Sequence, residues 1–317
     1  MHQPVQIDST FIENHTDFNE LIRLLQEAFA ANSVIVPQRH HHDFPNPATT
    51  KDTTLLLMPA WNPGFEAGVK VVTVNPGNNQ FELPAIQGSY LYMDAKTGVL
   101  KAIMEAKNLT AKRTAAASAL ASSMLSRPET KSMLMIGTGA LSINLIKAHA
   151  SVRPIEEVFV WGRNPAKATI ICDQLKTEKF KTLPVNTIKE VISKVDLVSC
   201  ATLSEQPLVL GADVVPGQHI DLVGAYKPNM RESDDGLLQR ASIFLDVMEG
   251  GLKESGDIAI PLQEGLIAKE DLKADLFDLC ANKHSGRTDS TEITLFKSVG
   301  HALEDLIAAK YYYSKYN

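Results

Sequence analysis

The run Met133-Leu134-Met135-Ile136-Gly137-Thr138-Gly139-Ala140-Leu141-Ser142 places an apolar strand before two glycines and helix-compatible residues after them. A dinucleotide-binding turn needs this context: one glycine for a tight turn, one where backbone approaches a pyrophosphate, then a helix start whose N–H groups face the phosphates. The spacing gives the first role to Gly137 and the second to Gly139. Ser142 stands where a third glycine is common, and it is small enough for close helix–strand packing. A tight strand-to-helix turn with no ligand is the plain alternative.

Downstream of this turn, short β-rich runs at 158–161, 183–185, 197–200, 220–223 and 243–247 are separated by polar, helix-length segments. Regular alternation of this kind predicts a parallel sheet covered on both faces. The second strand ends in Val160-Trp161-Gly162-Arg163-Asn164, where NAD enzymes usually carry an acid for the ribose 2′-hydroxyl. Arg163 instead suits a 2′-phosphate and points to NADP; a solvated arginine at a strand end is the alternative.

Upstream, an Ala-rich stretch over 110–125, closed by Arg127-Pro128, predicts a helix joining two halves of the chain. Before it, runs at 34–36, 54–58, 69–74, 90–93 and 99–104 predict a mostly antiparallel sheet, with 94–98 as its clearest hairpin turn. Asp17 with Glu20 resembles a capping box before a helix carrying Phe18, Leu21, Ile22, Leu25 and Phe29. Phe296, Val299, Leu303, Leu306 and Ile307 mark a C-terminal amphipathic helix. The expected fold class is α/β, a Rossmann doubly wound sheet with a smaller α+β domain.

The composition suits an ordinary globular chain of 317 residues, 44% hydrophobic and 21% charged. It excludes disordered, collagen-like and disulfide-rich classes. A formal net charge of -6 gives no global field toward nucleic acid or anionic lipid, so neither partner is expected. Cys172, Cys200 and Cys280 are far apart in sequence and fit a reducing compartment. No lysine or arginine precedes Arg23, and no apolar run is long enough to span a bilayer; a cytoplasmic location is expected.

Four stretches together resemble the ornithine cyclodeaminase/mu-crystallin family: Val36-Pro37-Gln38-Arg39; Met58-Pro59-Ala60 leading to Gly68-Val69-Lys70; Leu109 to Ser118 with Lys112-Arg113-Thr114; and Val223-Gly224-Ala225 with Arg231-Glu232. With the glycine turn and Phe296-Lys297-Ser298-Val299-Gly300, the likeness covers nearly the whole chain in order. The resemblance implies a homodimer, with residues 1–115 and 296–317 forming a substrate-binding and dimerisation domain and residues 116–295 the Rossmann domain. It implies nicotinamide chemistry on amino acids, imino acids or cyclic ketimines. By position it makes Arg39, Lys70 and Arg113 ligands of a substrate carboxylate, with Lys70 and Arg113 catalytic and Val299 touching substrate. Its cofactor residues are Ala85, Arg113, Thr114, Gly137, Gly139, Ala140, Leu141, Arg163, Asn164, Thr202, Val223, Gly224 and Ser298.

Independently of the resemblance, Lys70 stands inside the apolar run 68–74, where a strand buries one face. Lysines are rarely buried without a partner, and such a lysine has a lowered pKa and can exchange a proton.

Ornithine cyclodeaminases place an aspartate where this chain has Tyr226, so the resemblance favours a ketimine reductase. The implied reaction is NAD(P)H-dependent reduction of Δ1-pyrroline-2-carboxylate to L-proline, or of Δ1-piperideine-2-carboxylate to L-pipecolate. NADPH is the expected cofactor and NADH the other candidate. An alanine-dehydrogenase-like enzyme and a non-catalytic NADPH- and ligand-binding protein are the competing readings.

His40-His41-His42-Asp43 lacks a further ligand cluster and reads as a loop beside Arg39, so no metal is expected. Trp61 and Trp161 read as packing residues, and Tyr311-Tyr312-Tyr313 as a docking or dimer surface.

Overall fold

A computed structural model describes residues 3–49 and 51–316. The first part of the chain runs β1 (Val5–Ile7), α1 (Ser9–Asn14), α2 (Phe18–Ala31), β2 (His40–Phe44), β3 (Thr53–Asn62), β4 (Glu66–Val74), β5 (Ile86–Asp94), β6 (Leu100–Glu105) and α3 (Ala106–Leu125). Alternation follows with β7 (Ser132–Ile136), α4 (Ser142–Val152), β8 (Glu157–Trp161), α5 (Pro165–Gln174), β9 (Lys181–Pro184), β10 (Leu197–Cys200), β11 (His219–Leu222), α6 (Asp235–Leu238) and β12 (Ser242–Leu245). The last elements are α7 (Met248–Glu254), α8 (Gly256–Gln263), β13 (Leu272–Asp275), α9 (Leu276–Cys280), β14 (Thr294–Lys297) and α10 (Ala302–Tyr316). The chain divides into two compact units: Met1–Asp17, Ala31–Arg113 and His301–Asn317 form unit 1, and Phe18–Ala30 with Thr114–Gly300 form unit 2.

Unit 1 is a six-stranded sheet in the order β1-β6-β5-β4-β3-β2, antiparallel except for β1, which runs parallel to β6. Alternation along the long strands sends Met58, Ala60, Lys70, Tyr90, Tyr92, Ala102 and Met104 to one buried face, and α10 packs across β3, β4 and β5. Met58, Lys70, Tyr90 and Met104 are paired in register across four strands, so the lysine lies in a transverse row of otherwise apolar and aromatic residues.

Three expectations for this half are corrected. Residues 34–36 form no strand: Ile35 makes only an isolated bridge to Trp61, and the edge position is taken by β2, the histidine segment, with every residue exposed. An edge strand needs neighbours on one side only, so it tolerates a polar sequence that β-propensity reads as loop. Tyr311 and Tyr312 are no docking surface but are buried. The Tyr311 hydroxyl donates to the His15 carbonyl at 2.7 Å and accepts from Asp17 N–H at 2.9 Å, while Tyr312 meets the Thr16 hydroxyl at 2.9 Å. Tyr311→Phe leaves both backbone groups without this partner and is expected to lower unfolding free energy by about 1–3 kcal/mol, measured by urea denaturation.

Unit 2 is an eight-stranded, fully parallel sheet in the order β13-β12-β14-β11-β10-β7-β8-β9. Its core joins Leu134 and Ile136 of β7 to Val198, Ile220, Ile243 and Leu295 of neighbouring strands. The winding reverses between β7 and β10, the switch point outside whose carboxyl ends open α/β sheets bind ligands. Helix α2 belongs here as well: it buries Phe18, Leu21, Ile22, Leu25 and Phe29, with Phe29 set edge-on to Phe277 at 4.9 Å.

Phe296 does not open the last helix. It lies in β14, an interior strand between β11 and β12, and the helix begins at Ala302. A four-residue strand buried throughout is a short apolar run, which periodicity alone cannot distinguish from a helical turn.

Candidate active site

In unit 1 the buried lysine has its partner. Lys70 Nζ lies 2.8 Å from Asp305 Oδ2 and 3.0 Å from Oδ1, and Arg113 Nε donates to the same Oδ1 at 2.9 Å. Arg113 Nη1 reaches Glu304 Oε2 at 2.5 Å. Lys70 is 3% exposed and the two acids are fully buried, so these charges face one another rather than water. Helix α10 supplies both acids from its first turn, where carboxylates also favour the positive end of the helix dipole.

Burial pushes the Lys70 ammonium down to about 8, with Arg113 and Arg39 adding to the push and Asp305 opposing it. Burial alone would raise Asp305, but Arg113 and Lys70 outweigh it and hold its carboxyl below the usual range. Arg39 is half-buried just before β2, and Ala85 is exposed in the turn before β5, its carbonyl accepting from Asn75 N–H at 2.7 Å. Unit 1 thus joins Lys70 directly to Arg113 through Asp305, and the field of Arg39 reaches Lys70.

In unit 2 the predicted residues gather at the carboxyl ends of the strands. Gly137 has φ +119°, and a Cβ there would lie 2.5 Å from the Ala201 carbonyl oxygen. Gly139 is exposed, and a Cβ on it would meet nothing within 4 Å, which leaves its backbone open to a ligand. Ala140 and Leu141 lead into α4. Leu141 is the cap residue and gives no side-chain acceptor to the first N–H groups, the arrangement that suits a pyrophosphate. Ser142 is fully buried and its hydroxyl donates to the Gly137 carbonyl at 2.9 Å, tying helix to turn.

Arg163 is exposed after β8, and Asn164 caps α5 by accepting from Ala166 N–H at 3.1 Å. Thr114 is buried on α3. Thr202 follows β10; Val223 and Gly224 follow β11; Ser298 and half-buried Val299 follow β14. Asp246 Oδ2 accepts from the Ser298 hydroxyl and from the N–H groups of Val299 and Gly300 at 3.0, 2.6 and 2.6 Å. A Cβ on Gly224 would fall 2.1 Å from both Thr202 N and O. Gly224→Ala therefore forces two backbones apart and is expected to lower unfolding free energy by about 1–3 kcal/mol in a denaturant titration.

Several residues of these clusters carry no sequence assignment: Glu304 and Asp305 in unit 1, and Asp246, Asp257, Glu232 and Lys297 in unit 2. Glu232, Asp246, Asp257, Glu304 and Asp305 are all fully buried, and the sequence carries a signal for the pair in unit 1. Glu304-Asp305 interrupts the apolar stretch 302–309, yet both are wholly buried, as is the rest of that stretch but for a trace at Ala302 and Ile307.

The model of the ornithine cyclodeaminase/mu-crystallin family matches residues 5–317. The Δ1-pyrroline-2-carboxylate reductase of Paracoccus denitrificans is 38% identical over 259 residues, covering 81% of this chain and 82% of its own. Among solved structures, Thermococcus litoralis Δ1-pyrroline-2-carboxylate reductase in complex with NADH and L-proline is similar with a TM-score of 0.90 at 32% identity, covering 98% of this chain and 97% of its own. An archaeal alanine dehydrogenase dimer with bound NAD has a TM-score of 0.89 at 27% identity, covering 98% and 95%. A match over almost every residue, with the glycine turn and the lysine–arginine pair in place, means that the chain belongs to the ornithine cyclodeaminase/mu-crystallin family.

Proposed function

We propose that this chain reduces a cyclic ketimine carboxylate with a nicotinamide dinucleotide, converting Δ1-pyrroline-2-carboxylate to L-proline and its six-membered homologue to L-pipecolate. The observation that carries the reading is the buried Lys70–Asp305–Arg113 cluster, in a chain 38% identical to a reductase of that name. The Thermococcus neighbour, which holds NADH and L-proline, supports the same substrate class.

Arg113 and Arg39 are the guanidinium groups that bind the substrate carboxylate, a task suited to their planar, paired donors. Lys70, protonated below about 8, holds at Nζ the proton that the imine nitrogen takes up. Asp305 fixes both cations. The dinucleotide, when bound, supplies a hydride from nicotinamide C4. In unit 2 the open backbone at Gly139 and the uncapped start of α4 suit its pyrophosphate. The residues that the resemblance assigns to the dinucleotide are Ala85 and Arg113 of unit 1 and Thr114, Gly137, Gly139, Ala140, Leu141, Arg163, Asn164, Thr202, Val223, Gly224 and Ser298 of unit 2. Val299 is assigned to the substrate by the family resemblance alone.

Tyr226 offers no carboxylate after β11 for a deamination, which favours reduction over cyclodeamination. Arg163, in place of an acid, favours NADPH over NADH. The chain works as a homodimer in the cytoplasm; the archaeal relative is a dimer, the three cysteines are free and buried, and among the described residues no helix is long and apolar enough to cross a membrane. Similarity to the archaeal alanine dehydrogenase favours a second reading, oxidation of an acyclic amino acid.

The test is oxidation of NADPH and of NADH in the presence of Δ1-pyrroline-2-carboxylate, beside a keto acid with an amine and ornithine with NAD. Turnover with the preformed ring, faster with NADPH and absent with ornithine, is expected. Turnover only with the keto acid and amine would transfer the assignment to the second reading.

A further inference from the structure

We propose that Glu232 is the positioning residue of the dinucleotide site, a buried carboxylate that fastens two strand-end loops together and so sets cofactor affinity. The inference rests on the reading of unit 2 as a nicotinamide dinucleotide site.

Glu232 is fully buried and spends both oxygens on backbone. Oε1 accepts from Thr202 N–H at 2.6 Å and from the Thr202 hydroxyl at 2.9 Å, in the loop after β10. Oε2 accepts from Gly224 N–H at 2.7 Å and Ala225 N–H at 3.2 Å, in the loop after β11. The two loops are also in direct backbone contact, since no Cβ fits between Gly224 and Thr202, and Gly137 packs under Ala201 in the same way. Three turns at the switch point therefore form one stack, and Glu232 is the side chain that ties two of them.

The residue is itself fixed from behind. Glu232 N–H donates to Asp257 Oδ1 at 2.8 Å, as does Ser233 N–H at 2.9 Å. Lys297 Nζ, fully buried at the end of β14, lies 3.0 Å from Asp257 Oδ2 and 3.8 Å from Glu232 Oε2. A chain that buries three charges at the carboxyl ends of its strands bears a cost that hydrophobic residues of similar volume would avoid. The geometry shows what the charges achieve: four donors, two on each oxygen, need acceptors at both ends of the side chain, and only a carboxylate offers them. The amides of Thr202, Gly224 and Ala225 are thereby engaged within the protein and are not donors to a ligand.

Glu232→Gln keeps the shape but turns an NH2 toward the donors of one loop, which releases that loop. Asp221→Asn is the matched control: Asp221 is equally buried in β11, and its carboxylate meets the His149 ring at 3.1 Å and accepts from the Ser199 hydroxyl at 2.6 Å, with no tie to the loops after β10 and β11 among the described residues. The probes are NADPH and NADH binding to the full chain without substrate, followed by nucleotide fluorescence, and amide hydrogen exchange at Thr202, Gly224 and Ala225. Both variants are expected to melt earlier. Glu232→Gln is expected to raise the dinucleotide Kd by about tenfold or more and to speed exchange at these amides, as loss of hydrogen bonds to a charged group predicts. Asp221→Asn is expected to keep Kd within roughly twofold of the parent chain. Unchanged affinity in Glu232→Gln, or an equal loss in Asp221→Asn, overturns the inference while leaving the cofactor reading intact. Failure of the parent chain to bind either dinucleotide overturns both.

Discussion

Asp305→Asn is expected to destabilise the chain by about 3–5 kcal/mol, because it leaves two buried cations facing an amide. Lys70 and Arg113 both lean on this carboxylate, at 2.8 and 2.9 Å, and both are almost without solvent. The same substitution should move the pH profile. Asp305 is the group that opposes the fall of the Lys70 pKa, so its loss leaves burial and the Arg113 charge unopposed and lets Lys70 deprotonate at lower pH. In the parent chain kcat/KM is expected to fall as pH rises through about 8, and in Asp305→Asn the fall is expected at lower pH. Urea unfolding reads the first effect and a pH–rate profile the second. A destabilised variant with an unmoved alkaline limb would show that Asp305 only holds the fold.

Lys70→Met is expected to lower kcat/KM by about 10²–10⁴-fold, the usual contribution of a positioned proton donor, and to abolish the alkaline limb. Methionine fills much of the lysine stem's volume between Met58 and Tyr90, so the row across the sheet stays packed. The pH dependence of stability gives an independent reading. Lys70 titrates in the folded chain at about 8, below its ordinary 10.5, so the unfolded chain binds the proton more readily. Its contribution is present in full above the ordinary lysine value and is lost as pH falls through about 8. The unfolding free energy of the parent chain relative to Lys70→Met should therefore grow across that window. Turnover undiminished in Lys70→Met would remove the lysine from the chemistry.

Much of unit 2 is legible in the sequence because its signals are local. Gly137 adopts a backbone that side chains resist, and the parallel strands are apolar runs bounded by turns. In unit 1 the burial of Lys70 is equally local, since strand alternation decides it. Its partner is not: Asp305 lies 235 residues further along, and only the packing of α10 on β3, β4 and β5 brings them together. An acid pair inside the apolar stretch 302–309 marks buried charge, but it does not say which cation meets it. Glu232 escapes for the same reason, because its partners are loop amides whose positions depend on the completed sheet. The strand β14 and the buried tyrosines are not legible in the sequence, because the identity of a short apolar or aromatic run is set by what later covers it.

The most direct test of the proposed reduction is the fate of deuterium in NADPH that carries it at both positions of nicotinamide C4, followed by mass spectrometry of the product formed from Δ1-pyrroline-2-carboxylate. L-Proline carrying the label at its α-carbon is expected, with the nitrogen-bound proton coming from the protein or solvent. Unlabelled proline, or recovery of the imine with the cofactor unoxidised, would contradict it.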